Sequence, residues 1–241
     1  MKYLILAGAL GLAPCIAPAI ALAQENGPVD ENLVLGSEAF LSSHPDLNNR
    51  HRGMRAYEDG QHGFAMMYFK RAARYADKPS QAMVAEMLWK GEGVDRDPAL
   101  AYAWMDLAAE RGYPGFTIIR ERYWEQLDER QRQDAVARGE EIYAEYGDTV
   151  AQPRIATVLR RERRRTTGSR TGFVGALTIQ IPGPGGQMQT ISGDRFYDRK
   201  FWEPELYQAW HDAVWTQPRQ GRVDIGEIDP IRPGESPPEE D

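Results

Sequence analysis

The sequence predicts a mainly α protein: a short solenoid of helical hairpins followed by a small α+β C-terminal module. Three observations point there. Ala65, Tyr68, Ala72 and Ala73 lie 36 residues before Ala101, Trp104, Ala108 and Ala109, so small, aromatic and Ala-Ala positions recur in register. Each recurring stretch has helical spacing, bounded by glycine or Asp-Pro signals. From Leu177 the spacing changes to alternation, with Ile179 and Ile181 separated by Thr178 and Gln180. A chain of 241 residues has room for one large or two small domains, and its net charge of −7 argues against nucleic acid as a partner.

Residues 1–23 predict a secretory signal peptide. Lys2 precedes an apolar run from Tyr3 to Leu12, and Ala21-Leu22-Ala23 offers small residues at both cleavage-determining positions before Gln24. Cleavage after Ala23 sends the mature chain to the periplasm or beyond. A membrane anchor fits less well, because the apolar stretch is short and interrupted by Pro14 and Pro18. Lipoprotein processing at Cys15 ranks below ordinary cleavage, because Pro14 sits badly in that pattern. Cys15 is the one cysteine and leaves with the leader, so the mature chain is expected to lack disulfides and thiolate ligands.

Residues 24–147 read as the repeat domain. The first unit, roughly 54–76, combines Tyr57-Glu58-Asp59-Gly60 with "AMMYFKRAA" as a hairpin. In the second, Ser80 after Pro79 is expected to cap a helix ending near Lys90, with Met83, Val84, Met87 and Leu88 on its apolar side. Gly91 ends that helix and Gly93 turns the chain. Asp97 caps the next, with Pro98 at its first position, where a missing N–H costs nothing. Ala101, Trp104 and Ala108 share one face of it, two small residues flanking a large one, and Gly112 ends the unit.

The residues Val84-Ala85, Met87-Leu88, Gly91-x-Gly93-Val94, Asp97, Ala101, Trp104, Ala108-Ala109 and Gly112 resemble the Sel1-like repeat, a relative of the tetratricopeptide repeat. Ala85 and Leu88 depart from the family's usual glycine and tyrosine. The resemblance implies a helical-hairpin stack that binds proteins and carries out no catalysis. A third unit follows, with "PGFTIIRERYWEQL" as one helix and a second from Asp128, whose pairing with Gln131 makes a capping box. Ala135, Gly139, Ile142 and Tyr146 would close the stack.

Residues 148–172 read as a basic helical linker. Between Arg154 and Arg170 lie seven arginines and one acid, Glu162. This is either a solvated helix with Val158 and Leu159 against the solenoid, or a contact for an anionic surface through Arg160, Arg161, Arg163, Arg164 and Arg165. Residues 173–228 form the small module. "FVGALTIQI" and "QMQTI" make a hairpin around "PGPGG", and 201–215 make a helix with Leu206, Trp210 and Val214 in line. "GRVDIGEI" could add a short strand. The acidic, proline-rich segment 229–241 is expected to be disordered.

Chemical alternatives fare poorly. "GEGVDRD" lacks the lysine and Ser/Thr of a phosphate loop, and the turn glycine and final glutamate of a calcium loop. His44, His51, His62 and His211 include no i, i+4 pair, and Ser169 and Ser192 lie in no nucleophile elbow. No catalytic residue, cofactor or metal site is therefore expected. In such stacks the first helix of each unit lines the concave face. There Glu86, Trp89, Lys90, Arg120 and Trp124 form the candidate partner surface. The competing reading is a cell-wall binding protein or hydrolase using the aromatic and acidic residues of the C-terminal module, among them Phe196, Phe201, Trp202, Tyr207, Trp210 and Trp215.

Overall fold

Helical spacing over residues 45–108 produces two successive antiparallel hairpins. The computed structural model describes residues 31–165, 177–182 and 187–217. The segment expected to be a signal peptide, the end of the basic linker, the residues expected to turn the hairpin, the strand expected in "GRVDIGEI" and the acidic tail lie outside the described residues. The first hairpin joins α3 (Pro45–Glu58) to α4 (His62–Ala73), and the second joins α5 (Lys78–Lys90) to α6 (Pro98–Ala108). The third unit differs, because α7 (Pro114–Gln126) and α8 (Glu129–Tyr146) both pack on α6 rather than along each other. Two short helices, α1 (Glu31–Gly36) and α2 (Glu38–Leu41), precede the stack.

The signals around α6 act as the sequence indicates. The Asp97 side chain accepts from the Leu100 N–H at 3.0 Å, and Pro98 opens the helix. Burial opposes ionisation of Asp97, but hydrogen bonds from Arg138 (2.6 Å) and the Leu100 N–H hold its carboxyl below the usual range. Gly91, Gly93 and Gly112 have φ of 78°, 74° and 69°, the left-handed region that favours glycine. Ala101, Trp104 and Ala108 are buried in one core with Phe69, Met87 and Ile142, and the Trp104 ring meets Tyr146. The Asp128–Gln131 capping box forms in both directions. One cap is misplaced in the sequence reading. Asp77, not Ser80, caps α5, and its carboxylate accepts from the Ser80 N–H because Pro79 fits inside the first turn.

Lys78 beside that cap is 1% exposed. Its ammonium donates to Glu110 at 2.6 Å and to the Leu107 carbonyl, and lies 3.1 Å from Asp148. Burial lowers its pKa, while Asp148 and Glu110 partly restore it. It ties α5 and the turn after α6 to the long helix α9 (Asp148–Arg165).

The C-terminal module contains β1 (Thr178–Pro182) and β2 (Met188–Ser192), antiparallel with Ile179 opposite Ile191. Then come α10 (Gly193–Phe196), α11 (Arg199–Trp202) and α12 (Pro204–Thr216). The helix expected over 201–215 thus breaks at Glu203-Pro204, as a proline disfavours helical geometry in the residue before it. Its buried face is Tyr207 and His211 rather than the line of Leu206, Trp210 and Val214; Leu206 and Val214 are exposed. The module does not close on itself. Val34, Phe40 and Leu47, which the sequence boundaries assign to the repeat domain, share a core with Ile181, Ile191, Phe196, Phe201 and Trp202. A module this small needs large side chains from elsewhere to enclose a core.

A candidate interaction groove beside the first helices

The first helices α3, α5 and α7 border a groove of about 620 Å³, floored by Ala82, Met83 and Met105. Met54 of α3 forms one wall, and Phe116 and Ile119 of α7 form the other. One end is bounded by α12, whose Val214 and Trp215 reach the lining, with Trp215 stacked on Phe116 at 5.6 Å. A polar latch holds α12 there. The Tyr113 hydroxyl donates to the Asp212 carboxylate, and Arg111 donates to the same hydroxyl at 3.2 Å. Arg111 is fixed in turn by Asp148, at 2.6 and 2.9 Å. Burial, followed by the bond to Asp212, raises the Tyr113 pKa, so the phenol stays a donor at ordinary pH.

The charges at the groove are already partnered. Arg50 donates to Asp77 at 2.8 Å, and Glu86 meets Lys90 at 2.6 Å. The unfilled character of the groove is therefore apolar. Methionines lining an open groove adapt to side chains of different shape, and this volume suits a few bulky apolar groups. Met54 and Val214 are 37% and 50% exposed, so apolar surface remains for an incoming chain to cover.

Of the five residues singled out from sequence, the structure brings Glu86 alone to this groove. The Trp89 ring lies flat on Tyr123 at 4.0 Å, with Arg96 over it at 5.5 Å, and so fastens α5 to α7. Burial of Tyr123 under that ring pushes its phenol up to about 12. Trp124 packs on Tyr102 at 4.8 Å beneath Arg132, where it joins α6, α7 and α8. Arg120 pairs with Glu121 and Asp106. Sequence reading missed Met54, Phe116, Ile119 and the end of α12. The i, i+3 pair Phe116/Ile119 was the available signal on α7, but nothing local announces that α12 returns to it.

A second polar cluster lies sealed between α3 and α12. Asp46, 2% exposed, accepts from the Tyr207 hydroxyl at 2.6 Å, and His211 Nε2 stands 3.8 Å away. Burial raises the Asp46 pKa and drives that of His211 well below its ordinary value. Almost wholly buried, the cluster joins α3 to α12. Four of the module's aromatic residues, Phe196, Phe201, Trp202 and Tyr207, are at most 4% exposed and form core. Tyr197, Trp210 and Trp215 are half-buried. Among the described residues no cluster of His, Cys, Asp or Glu has the makings of a metal site, and no helix is long and apolar enough to cross a membrane.

The Sel1 repeat profile matches residues 54–74 and 78–113, which are the end of α3 with α4, and α5 with α6. Among solved structures the chain is similar to c5321, a protective antigen present in uropathogenic Escherichia coli strains displaying an SLR fold. The two are 19% identical with a TM-score of 0.41, over 54% of this chain and 27% of that one. No curated protein matches the chain.

Proposed function

We propose that this chain, which carries Sel1 repeats over residues 54–74 and 78–113, is an interaction scaffold of the cell envelope, without catalytic activity, that holds an apolar segment of a partner protein between α3, α5, α7 and α12. Repeats of this kind mediate protein–protein contact, which gives the general class. The observation that carries the specific reading is the groove itself. It is open and apolar, borders the first helices of successive units, and has its flanking charges neutralised from within. A bound segment would gain from covering Met54, Met83 and Ile119 without having to desolvate an unpaired ion.

The envelope location rests on the leader-like residues 1–23. It is tested by N-terminal sequencing of the protein recovered by osmotic shock. A chain starting at Gln24 supports export, whereas an intact Met1 in the cytosolic fraction contradicts it. The groove is tested by selecting peptides from a random library on the purified chain. Peptides with two or more bulky apolar residues should emerge and lose binding to Met83→Glu. Peptides that bind Met83→Glu equally well would place the site elsewhere.

A further inference from the structure

The C-terminal part of α9 carries Thr157, Arg160, Arg161, Arg164 and Arg165, which together line one exposed notch. Their spacing of three and four residues puts them on one face of the helix. The opposite face is spent, because Ile155 and Leu159 are buried against Tyr207 of α12. Arg161 and Arg165 share a single partner, Glu162, whose own side chain is only 10% exposed. Arg163 points elsewhere and pairs with Glu203, at 2.9 Å. Arg160 and Arg164 have no acidic or hydrogen-bonding partner among the described residues. A chain of net charge −7 thus gathers a local surplus of guanidinium groups on the last turns of α9.

We propose that this stripe docks the protein on an anionic phospholipid surface. Guanidinium groups hold phosphate oxygens through paired N–H donors, and several held in a row suit a surface of many phosphates rather than a single ion. An acidic protein is the less favoured occupant. Protein interfaces of useful size have an apolar centre inside a polar rim, and among the described residues of α9 no large hydrophobic side chain is exposed beside the arginines. The stripe shares no residue with the groove between α3, α5 and α7, so docking would leave that groove free.

The test is co-sedimentation of the purified chain with vesicles of phosphatidylcholine alone or containing phosphatidylglycerol. Phosphatidylcholine reports any binding that does not depend on charge. Arg160→Gln/Arg164→Gln removes two charges from the stripe, and Arg122→Gln/Arg130→Gln removes two from exposed positions on α7 and α8. The proposal expects binding that requires phosphatidylglycerol and fades between about 50 and 300 mM salt. It expects a loss of about ten-fold or more in the α9 double variant and little change in the other. Equal losses in both variants would mean general charge attraction and overturn it. So would indifference to phosphatidylglycerol, or tighter binding to soluble polyglutamate than to vesicles at equal anion concentration, which would indicate an acidic protein partner. Circular dichroism of both variants checks that the fold is kept, and the salt titration of the unaltered chain stands without any variant.

Discussion

Replacing Gly93 with alanine tests how the turn between α5 and α6 is built. Gly91, Gly93 and Gly112 all have left-handed φ, and alanine there costs about 1 kcal/mol in backbone strain, partly offset by a less flexible unfolded chain. Their surroundings differ. A Cβ on Gly112 meets nothing within 4 Å, and one on Gly91 meets the Arg96 Cβ at 3.3 Å. At Gly93 it falls 2.5 Å from the His62 Cβ and 2.8 Å from the His62 carbonyl carbon. The second contact is backbone at the start of α4, so relief requires moving that helix. Overpacking of this kind adds about 1–3 kcal/mol. Gly93→Ala should therefore lose about 2–4 kcal/mol, against about 1 kcal/mol for Gly91→Ala and Gly112→Ala. Urea denaturation followed by circular dichroism measures the difference as a lower midpoint at unchanged slope. Equal losses in all three variants would refute the close approach of this turn to α4.

Further expectations follow from individual contacts. Trp89→Ala should destabilise by about 2–4 kcal/mol through loss of the Tyr123 stack while leaving groove binding intact, as equilibrium unfolding and peptide binding would report; lost binding at unchanged stability would restore Trp89 as a contact residue. Tyr207→Phe leaves Asp46 without its hydroxyl donor and should cost about 1–3 kcal/mol; a neutral result in thermal melts would contradict the sealed seam. His211 has its pKa depressed in the fold, so the folded ring stays neutral while the unfolded one takes a proton below about pH 6.5. Its contribution is complete above that pH and is lost as pH falls toward the folded value, by at most about 1.4 kcal/mol per pH unit. The stability advantage of the unaltered chain over His211→Gln should therefore shrink between pH 7 and 5; a constant difference would contradict the shift.

What the sequence discloses is what short-range chemistry decides. The Asp97-Pro98 start, the glycine stops at 91 and 112 and the Asp128–Gln131 box are each set within four residues, and all form. Trp104 between Ala101 and Ala108 was legible as a packing face because helical spacing brings those three together. The groove was not legible, because it depends on long-range returns of the chain. Phe116 meets Trp215 and Tyr113 meets Asp212 across roughly a hundred residues, and no local pattern encodes either meeting. The packing of Trp89 is long-range in the same way. Its position is not reserved by the repeat, yet Tyr123 of the next unit covers it. Phe40 and His44 likewise belong to the C-terminal core through Phe201 and Trp202, which nothing in residues 31–47 announces.

The central claim, that the groove beside α3, α5 and α7 holds a partner, is tested most directly by photo-crosslinking in living cells. A photoreactive residue replaces Met54 or Val214 at the groove, or Val136 on the exposed side of α8. Each is tested with and without Ile119→Glu, which places a charge in the apolar lining. A partner in the groove predicts an adduct of one size from both Met54 and Val214, none from Val136, and its disappearance with Ile119→Glu. Adducts from Val136 of equal yield, or groove adducts indifferent to Ile119→Glu, would contradict it.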